Sequence, residues 1–388
     1  MAINRKAVIA GAFESPRRKA GGIHPFALHY ECIMGALDDA GIELSEVDGL
    51  CAAAGDWGEG GGVQDIVEVA EYVGIRPTYI DSTDVGGCSY LVHLGKAISA
   101  IEAGLANVVV ISYAGCPRNW LLNIPPAEPL FLEVGPGKFE ASIKASLVAS
   151  YALFARRHMS VYGTTEEQLA SVAVTFREHA RQNPFAAKRT PITIDDVMSS
   201  APIAEPLKLL DCCLVTDGGG AIVVAKMDRC SERRDRVVEM AGFGVSVHRM
   251  QLSQIDKDII TPGQVSGRIA FANAGMTVAD VDVAQLYDAF TIAPLLALED
   301  LGFCPRGESG PFAMDGQLGI GGSLPCNTDG GGLSSNHPGK RGIFTLIESV
   351  RQLRGEAPGV QVREPEIALA HGIGGTLCSA ATVLLKRN

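Results

Sequence analysis

One cysteine stands where chemistry could happen. Val85-Gly86-Gly87-Cys88-Ser89-Tyr90 is a glycine-rich loop, and Leu91, Leu94, Ala97, Ile98 and Ile101 then recur at helical spacing up to Gly104. The run Ala106-Asn107-Val108-Val109-Val110-Ile111-Ser112 follows and reads as a buried strand. Cys88 is therefore expected at the first turn of a helix packed on a sheet. Free backbone N–H groups and the helix dipole favour an anion there, which lowers a thiol toward thiolate. The same N–H groups can hold an oxyanion. The other reading of these residues is a small buried cysteine at a tight turn, because free cysteine is commonly buried.

The elements that would position Cys88 occur twice. Ala36-Leu37-Asp38-Asp39-Ala40-Gly41 with Val47-Asp48 matches Ala270-Phe271-Ala272-Asn273-Ala274-Gly275 with Val281-Asp282, at one spacing. Ala221-Ile222-Val223-Val224-Ala225-Lys226 is echoed by Ala381-Thr382-Val383-Leu384-Leu385-Lys386. The Cys88 loop and helix are echoed by Asn336-His337-Pro338-Gly339 and a helix from Ile343 to Leu353. Two stacked α/β units follow, each presenting a loop and a helix N-terminus to a shared cleft. The expected boundaries are 1–230 and 236–388, joined by the charged stretch Ser231 to Arg236.

Between about 117 and 204 the pattern is broken by prolines and carries helical runs, as an inserted loop domain on the sheet would. Thr164 is the expected cap of one of its helices, with Glu167 closing a capping box. Leu207 to Val215 and Ala221 to Ala225 read as strands, with Asp217-Gly218-Gly219-Gly220 as the turn between them. Gly60 to Gly62 and the prolines of the insertion suit a roomy pocket for a branched, aromatic or polycyclic group.

Composition narrows the function classes. A net charge of −11 with no basic run argues against nucleic acid as a partner. The first residues lead straight into a strand-like run and no apolar stretch is long enough to span a bilayer, so a cytoplasmic protein without membrane attachment is expected. Ten scattered cysteines with no Cys-x-x-Cys pair fit a reduced chain and give no metal site.

The duplicated halves, the cysteine loop, Tyr287-Asp288-Ala289-Phe290-Thr291, and Asn327-Thr328-Asp329-Gly330-Gly331-Gly332 leading to Asn336-His337-Pro338-Gly339 resemble the thiolase superfamily. The branch is that of the sterol-carrier-protein-type thiolases and their bacterial thiolase-like, lipid-transfer-protein-like relatives. Tyr162-Gly163-Thr164-Thr165, Asn183-Pro184 and Asp211-Cys212-Cys213 extend the resemblance over nearly the whole chain. It implies an α/β fold of five layers, αβαβα, a homodimer, and Claisen-type chemistry on acyl-CoA with coenzyme A as a substrate. In that chemistry a cysteine takes the acyl group of a 3-oxoacyl-CoA and a second CoA collects it. By resemblance Cys88 is the nucleophile, with its backbone and Gly374 as oxyanion donors, and His337 is the base or oxyanion partner. A histidine that caps a proline-started helix is the alternative for His337.

Several positions depart from the family pattern. Counted back from Gly104, the family's nucleophile falls at Gly87, one residue before Cys88. Tyr287 and Ala289 replace a histidine and an acid/base cysteine. A tyrosine hydroxyl, with an ordinary pKa near 10, is a hydrogen-bond donor or weak acid rather than a ready base. His371, in Ala370-His371-Gly372-Ile373-Gly374-Gly375, could supply the missing proton transfer or be a structural turn residue. Relatives with tyrosine in this loop resemble retro-aldolases that act on steroid side-chain acyl-CoA with a small partner carrying a zinc ribbon and an OB fold. The expected function is thiolysis of a 3-oxoacyl-CoA through a cysteine acyl-enzyme, with retro-aldol cleavage of a hydroxyacyl-CoA and non-catalytic acyl-CoA or lipid binding as the alternatives.

Overall fold

The computed structural model describes residues 6–53, 65–120, 135–140, 146–254 and 259–388. Gly60 to Gly62 and Pro125, Pro126 and Pro129 lie outside them. The described strands are β1 (Ala7–Glu14), β2 (Gly49–Cys51), β3 (Tyr79–Asp81), β4 (Val108–Gly115), β5 (Pro202–Ala204), β6 (Leu207–Lys208), β7 (Gly218–Lys226), β8 (Val238–Val247), β9 (Val283–Leu286), β10 (Ile367–Gly374) and β11 (Ser379–Arg387). All but the β5–β6 hairpin form one ladder, β3-β2-β4-β7-β1-β8-β11-β10-β9.

Its two ends mirror each other. Outward from the centre, β1, β7 and β4 are antiparallel and β4 and β2 parallel. In the other half β8, β11 and β10 are antiparallel and β10 and β9 parallel. The strands of the two halves pair at their junction through Ile9 and Val238. The two echoed runs fall on β7 and β11. The helices Pro25–Ala40 and Gly263–Ala274 end at Gly41 and Gly275 with φ of 67° and 65°, a left-handed cap that glycine adopts without strain.

Three apolar cores make the layers. The helix Pro25–Ala40 covers the outer face of the first half-sheet, with Leu28, Ile33 and Leu37 against Val8, Val110 and Val223. The helices Ser89–Ala103 and Gly342–Arg354 lie between the halves, with Leu91, Leu94, Phe344 and Ile347 against Ile111, Ile222, Ala368 and Val383. The outer face of the second half, with Leu369 and Leu384, packs against the helix Ile292–Leu301 and the insertion helices Leu147–Tyr162 and Glu166–Gln182. Alternation along the strands makes this sandwich possible: on β10, Ala368 and Ala370 face inward and Leu369 and Ile373 outward.

Three local expectations shift. Thr165, not Thr164, caps the helix Glu166–Gln182, and Gln168 closes the box. The Thr164 hydroxyl instead meets His158 Nδ1 at 2.7 Å. The strand expected over 207–215 stops at Lys208, and Gly218-Gly219-Gly220 opens β7 rather than turning. A Cβ on Gly219 would lie 2.9 Å from Cys32 Sγ, and one on Gly220 2.6 Å from Ile347 Cδ1, so close packing inside the strand demands those glycines.

Candidate active site

The two loop–helix N-termini meet. Gly342 N, at the start of its helix, donates to Gly87 O at 3.0 Å. Asp84 ties the loops from the side: its Oδ1 accepts from Gly86 N at 2.9 Å, and its Oδ2 pairs with Lys340 Nζ at 2.7 Å. A Cβ on Gly86 would lie 2.8 Å from Gly374 Cα, which locks the cysteine loop onto the Gly374–Gly375 turn.

Tyr287 stands at this junction, directly after β9. Its N–H donates to His371 O at 3.0 Å. Its hydroxyl donates to Gly339 O at 2.8 Å, accepts from Arg341 N at 3.1 Å and lies 3.2 Å from His337 Nε2. The two rings meet edge to face, with centroids 5.6 Å apart. A Cβ on Gly87 would lie 2.5 Å from Tyr287 Cε2, 2.7 Å from Cζ and 2.6 Å from Ile373 O. The phenol ring therefore fills the space that a side chain at 87 would occupy.

His337 is gripped through its backbone: its N–H donates to Thr216 Oγ1 at 3.0 Å and its carbonyl accepts from Thr216 N at 3.3 Å. The residue as a whole is half-buried. The surrounding protein and the charge of Arg341 push the imidazole down to about 3, so it is neutral at neutral pH and offers one donor and one acceptor nitrogen. Tyr287 and His337 thus form a hydrogen-bonded pair between two helix N-termini, where negative charge is favoured.

Cys88 and His371 do not join them. Cys88 is fully buried, and its Sγ lies 3.4 Å from Val85 O and 3.4 Å from the buried Ser379 Oγ, against the inner core. Burial pushes the thiol up to about 12, against the thiolate expected from the helix N-terminus. The physical reason is register: Gly87 faces the junction, and the next residue turns inward. His371 shares the outward parity of Leu369 and Ile373 on β10. Its Nδ1 meets Thr382 Oγ1 at 2.9 Å, and a Cβ on Gly263 would lie 3.3 Å from its Nε2, so it sits under the helix Gly263–Ala274. Gly374 packs on the cysteine loop, as Gly86 shows.

The residue that sequence reasoning passed over is Arg341. It is buried and linked to Asn336, Asp329 and Asp288 around the junction. Its signal was an arginine within the His337 turn, a place with carboxylates at 288 and 329 on nearby loops. Among the described residues there is no group of three or more His, Cys, Asp or Glu placed to hold a metal.

This architecture is that of a thiolase-like enzyme. Residues 244–387 match the family described as "Thiolase C-terminal domain-like". The chain is 33% identical over 367 residues to an acetyl-CoA acetyltransferase of Methanothermobacter thermautotrophicus, covering 92% of this chain and 93% of that one. It is 33% identical over 386 residues to the 17-hydroxy-3-oxo-4-pregnene-20-carboxyl-CoA lyase of Mycobacterium tuberculosis, covering 96% and 97%. The solved structure of the "Ltp2-ChsH2(DUF35) aldolase" superposes with a TM-score of 0.87 at 31% identity, over 100% of this chain and 99% of that one. The chain belongs to the thiolase superfamily, in the branch that includes sterol carrier protein 2. It is an enzyme of that family, kin to acyl-CoA acyltransferases and to carbon–carbon lyases. Among the described residues no helix is long and apolar enough to cross a membrane.

Proposed function

We propose that this chain cleaves the C2–C3 bond of a 3-hydroxyacyl-CoA by a retro-aldol reaction. The observation that carries this reading is the Tyr287 ring standing in the side-chain space of Gly87. With that space filled and the Cys88 sulfur turned inward, the described residues at the junction offer a proton-exchanging pair and no cysteine nucleophile. In the reaction the Tyr287–His337 pair accepts the proton of the 3-hydroxyl. The O–H electrons form the carbonyl of a departing ketone or aldehyde, and the C2–C3 electrons move into the thioester enolate. The pair then returns the proton to C2, giving a shortened acyl-CoA. Free CoA is neither consumed nor released. The flanking helix N-termini stabilise the enolate charge.

Coenzyme A enters as part of the thioester substrate, in the cytoplasm. The similar Ltp2-ChsH2(DUF35) aldolase carries a DUF35 component in its name, which supports a small zinc-ribbon/OB-fold partner for this chain, and we expect the chain itself to be a homodimer. Thiolysis through Cys88 is the second reading, favoured by the acetyltransferase relative.

The test uses 17-hydroxy-3-oxo-4-pregnene-20-carboxyl-CoA, a 3-hydroxyacyl-CoA in its side chain, with no free CoA. Release of a ketone and a shortened acyl-CoA, lost by about 100-fold in Tyr287→Phe, is the expected result. Cleavage only of 3-oxoacyl-CoA, only with added CoA and with an acyl adduct on Cys88, overturns it.

A further inference from the structure

Arg341 reaches both members of the Tyr287–His337 pair through their neighbours in the chain. Its Nη1 donates to Asn336 O at 2.9 Å and to Asn336 Oδ1 at 2.5 Å, one residue before His337. Its Nε lies 3.3 Å from Asp288 Oδ1, one residue after Tyr287. Its Nη2 donates to both oxygens of Asp329 at 2.8 and 2.7 Å. Its own backbone N–H donates to the Tyr287 hydroxyl at 3.1 Å.

The acceptors are fixed in turn. Asp288 accepts from Gly332 N at 2.7 Å and Leu333 N at 3.1 Å, and Asp329 accepts from Gly331 N at 2.9 Å. The guanidinium is only 1% exposed. Burying a cation between two carboxylates is a poor route to stability, since a well-packed apolar filling often serves as well or better. What such a group supplies is geometry: a rigid planar fork with five donors, which a lysine ammonium does not reproduce.

We propose that Arg341 is a positioning residue for the retro-aldol step, holding the Tyr287 hydroxyl and the His337 ring in one geometry without touching the substrate. This rests on the function proposed above. A misplacement of about 1 Å at a reacting group is enough to lower turnover on the order of 100-fold.

The experiment compares Arg341→Lys, Asp329→Asn and the pair Arg341→Lys/Tyr287→Phe with the wild type, on the steroid 3-hydroxyacyl-CoA used above. Thermal melting establishes that each variant is folded. In Arg341→Lys, kcat is expected to fall roughly 100-fold with KM within about threefold. In the paired variant the loss should fall well short of the product of the two single losses, because both changes act on one Tyr287–His337 pair. Asp329→Asn keeps the shape and the other two ties, and a kcat loss of about tenfold with KM unchanged is expected. If Arg341→Lys does not fold, Asp329→Asn decides. A folded variant with wild-type kcat, or losses that multiply in the pair, overturns the proposal. Failure of the wild type to cleave without free CoA overturns the retro-aldol reading instead, and the kcat–KM split is then read on whichever cleavage the wild type performs.

Discussion

Gly87→Ala is the sharpest perturbation of this site. Gly87 does not have a positive φ, so alanine is allowed by the backbone and only space is at issue. The added methyl carbon would sit 2.5 Å from Tyr287 Cε2 and 2.6 Å from Ile373 O. Carbon atoms rest at about 3.5 Å or more, so the ring must retreat by about 1 Å. The loop has little freedom to move in its place, because Gly87 O is held by Gly342 N at 3.0 Å. The Tyr287 hydroxyl now lies 2.8, 3.1 and 3.2 Å from its three partners. A retreat of about 1 Å takes these past hydrogen-bonding reach. At about 1 kcal/mol for each bond, the cost is roughly 2–3 kcal/mol of stability, and turnover should fall on the order of 100-fold. The assay is ketone release from the steroid 3-hydroxyacyl-CoA, with Tm measured in parallel. A Gly87→Ala protein that keeps wild-type turnover and Tm would show that the ring does not fill this place, and the reasoning from it would fail.

Cys88→Ala is expected to keep cleavage within about threefold while losing about 1–2 kcal/mol of stability from the truncated core side chain, measured by denaturant unfolding. Its wild-type parent should carry no acyl adduct by intact mass after incubation with 3-oxoacyl-CoA. His337→Gln should lower kcat by about 100-fold or more with Tm changed by only a few degrees, since the residue is half-buried and is held chiefly through its backbone; loss of activity through unfolding alone would remove it from the mechanism. Acid should destabilise the fold. Burial holds His29, His93 and His371 at about 4, and burial with Arg341 holds His337 at about 3, so the unfolded chain takes up these four protons first as pH falls below about 6.5. Asp288 and Glu348, pushed by burial to about 6 and about 7, act in the opposite sense by binding protons in the folded state. His179, lowered by burial, adds to the histidine side, and Asp211 and Asp300, raised by burial, add to the carboxyl side; the histidines outnumber the carboxyls, so Tm should fall as pH drops from about 6 to about 4.5. A flat Tm across that window would refute the balance.

The sequence determined the parts of this protein that depend on local chemistry and on repetition. Gly104 was legible as a helix end because a left-handed cap favours glycine, and its φ is 82°. The echoed spacing showed two halves because each β/α unit must bury the same apolar faces. The two loops at helix starts were legible as neighbours, and the structure brings Tyr287 and His337 together where those loops meet.

Tertiary structure alone decided which side chains look into the junction. In a loop, a difference of one residue turns a side chain from cleft to core, so Gly87 rather than Cys88 faces Tyr287. On a strand the period of two puts His371 on the outer face with Leu369, whatever its chemistry. Arg341 was illegible for a different reason: its partners Asp329 and Asp288 come from other loops, and only folding brings both charges within reach of one guanidinium. Local propensity has no access to such contacts, because they depend on where distant parts of the chain stop rather than on what they are.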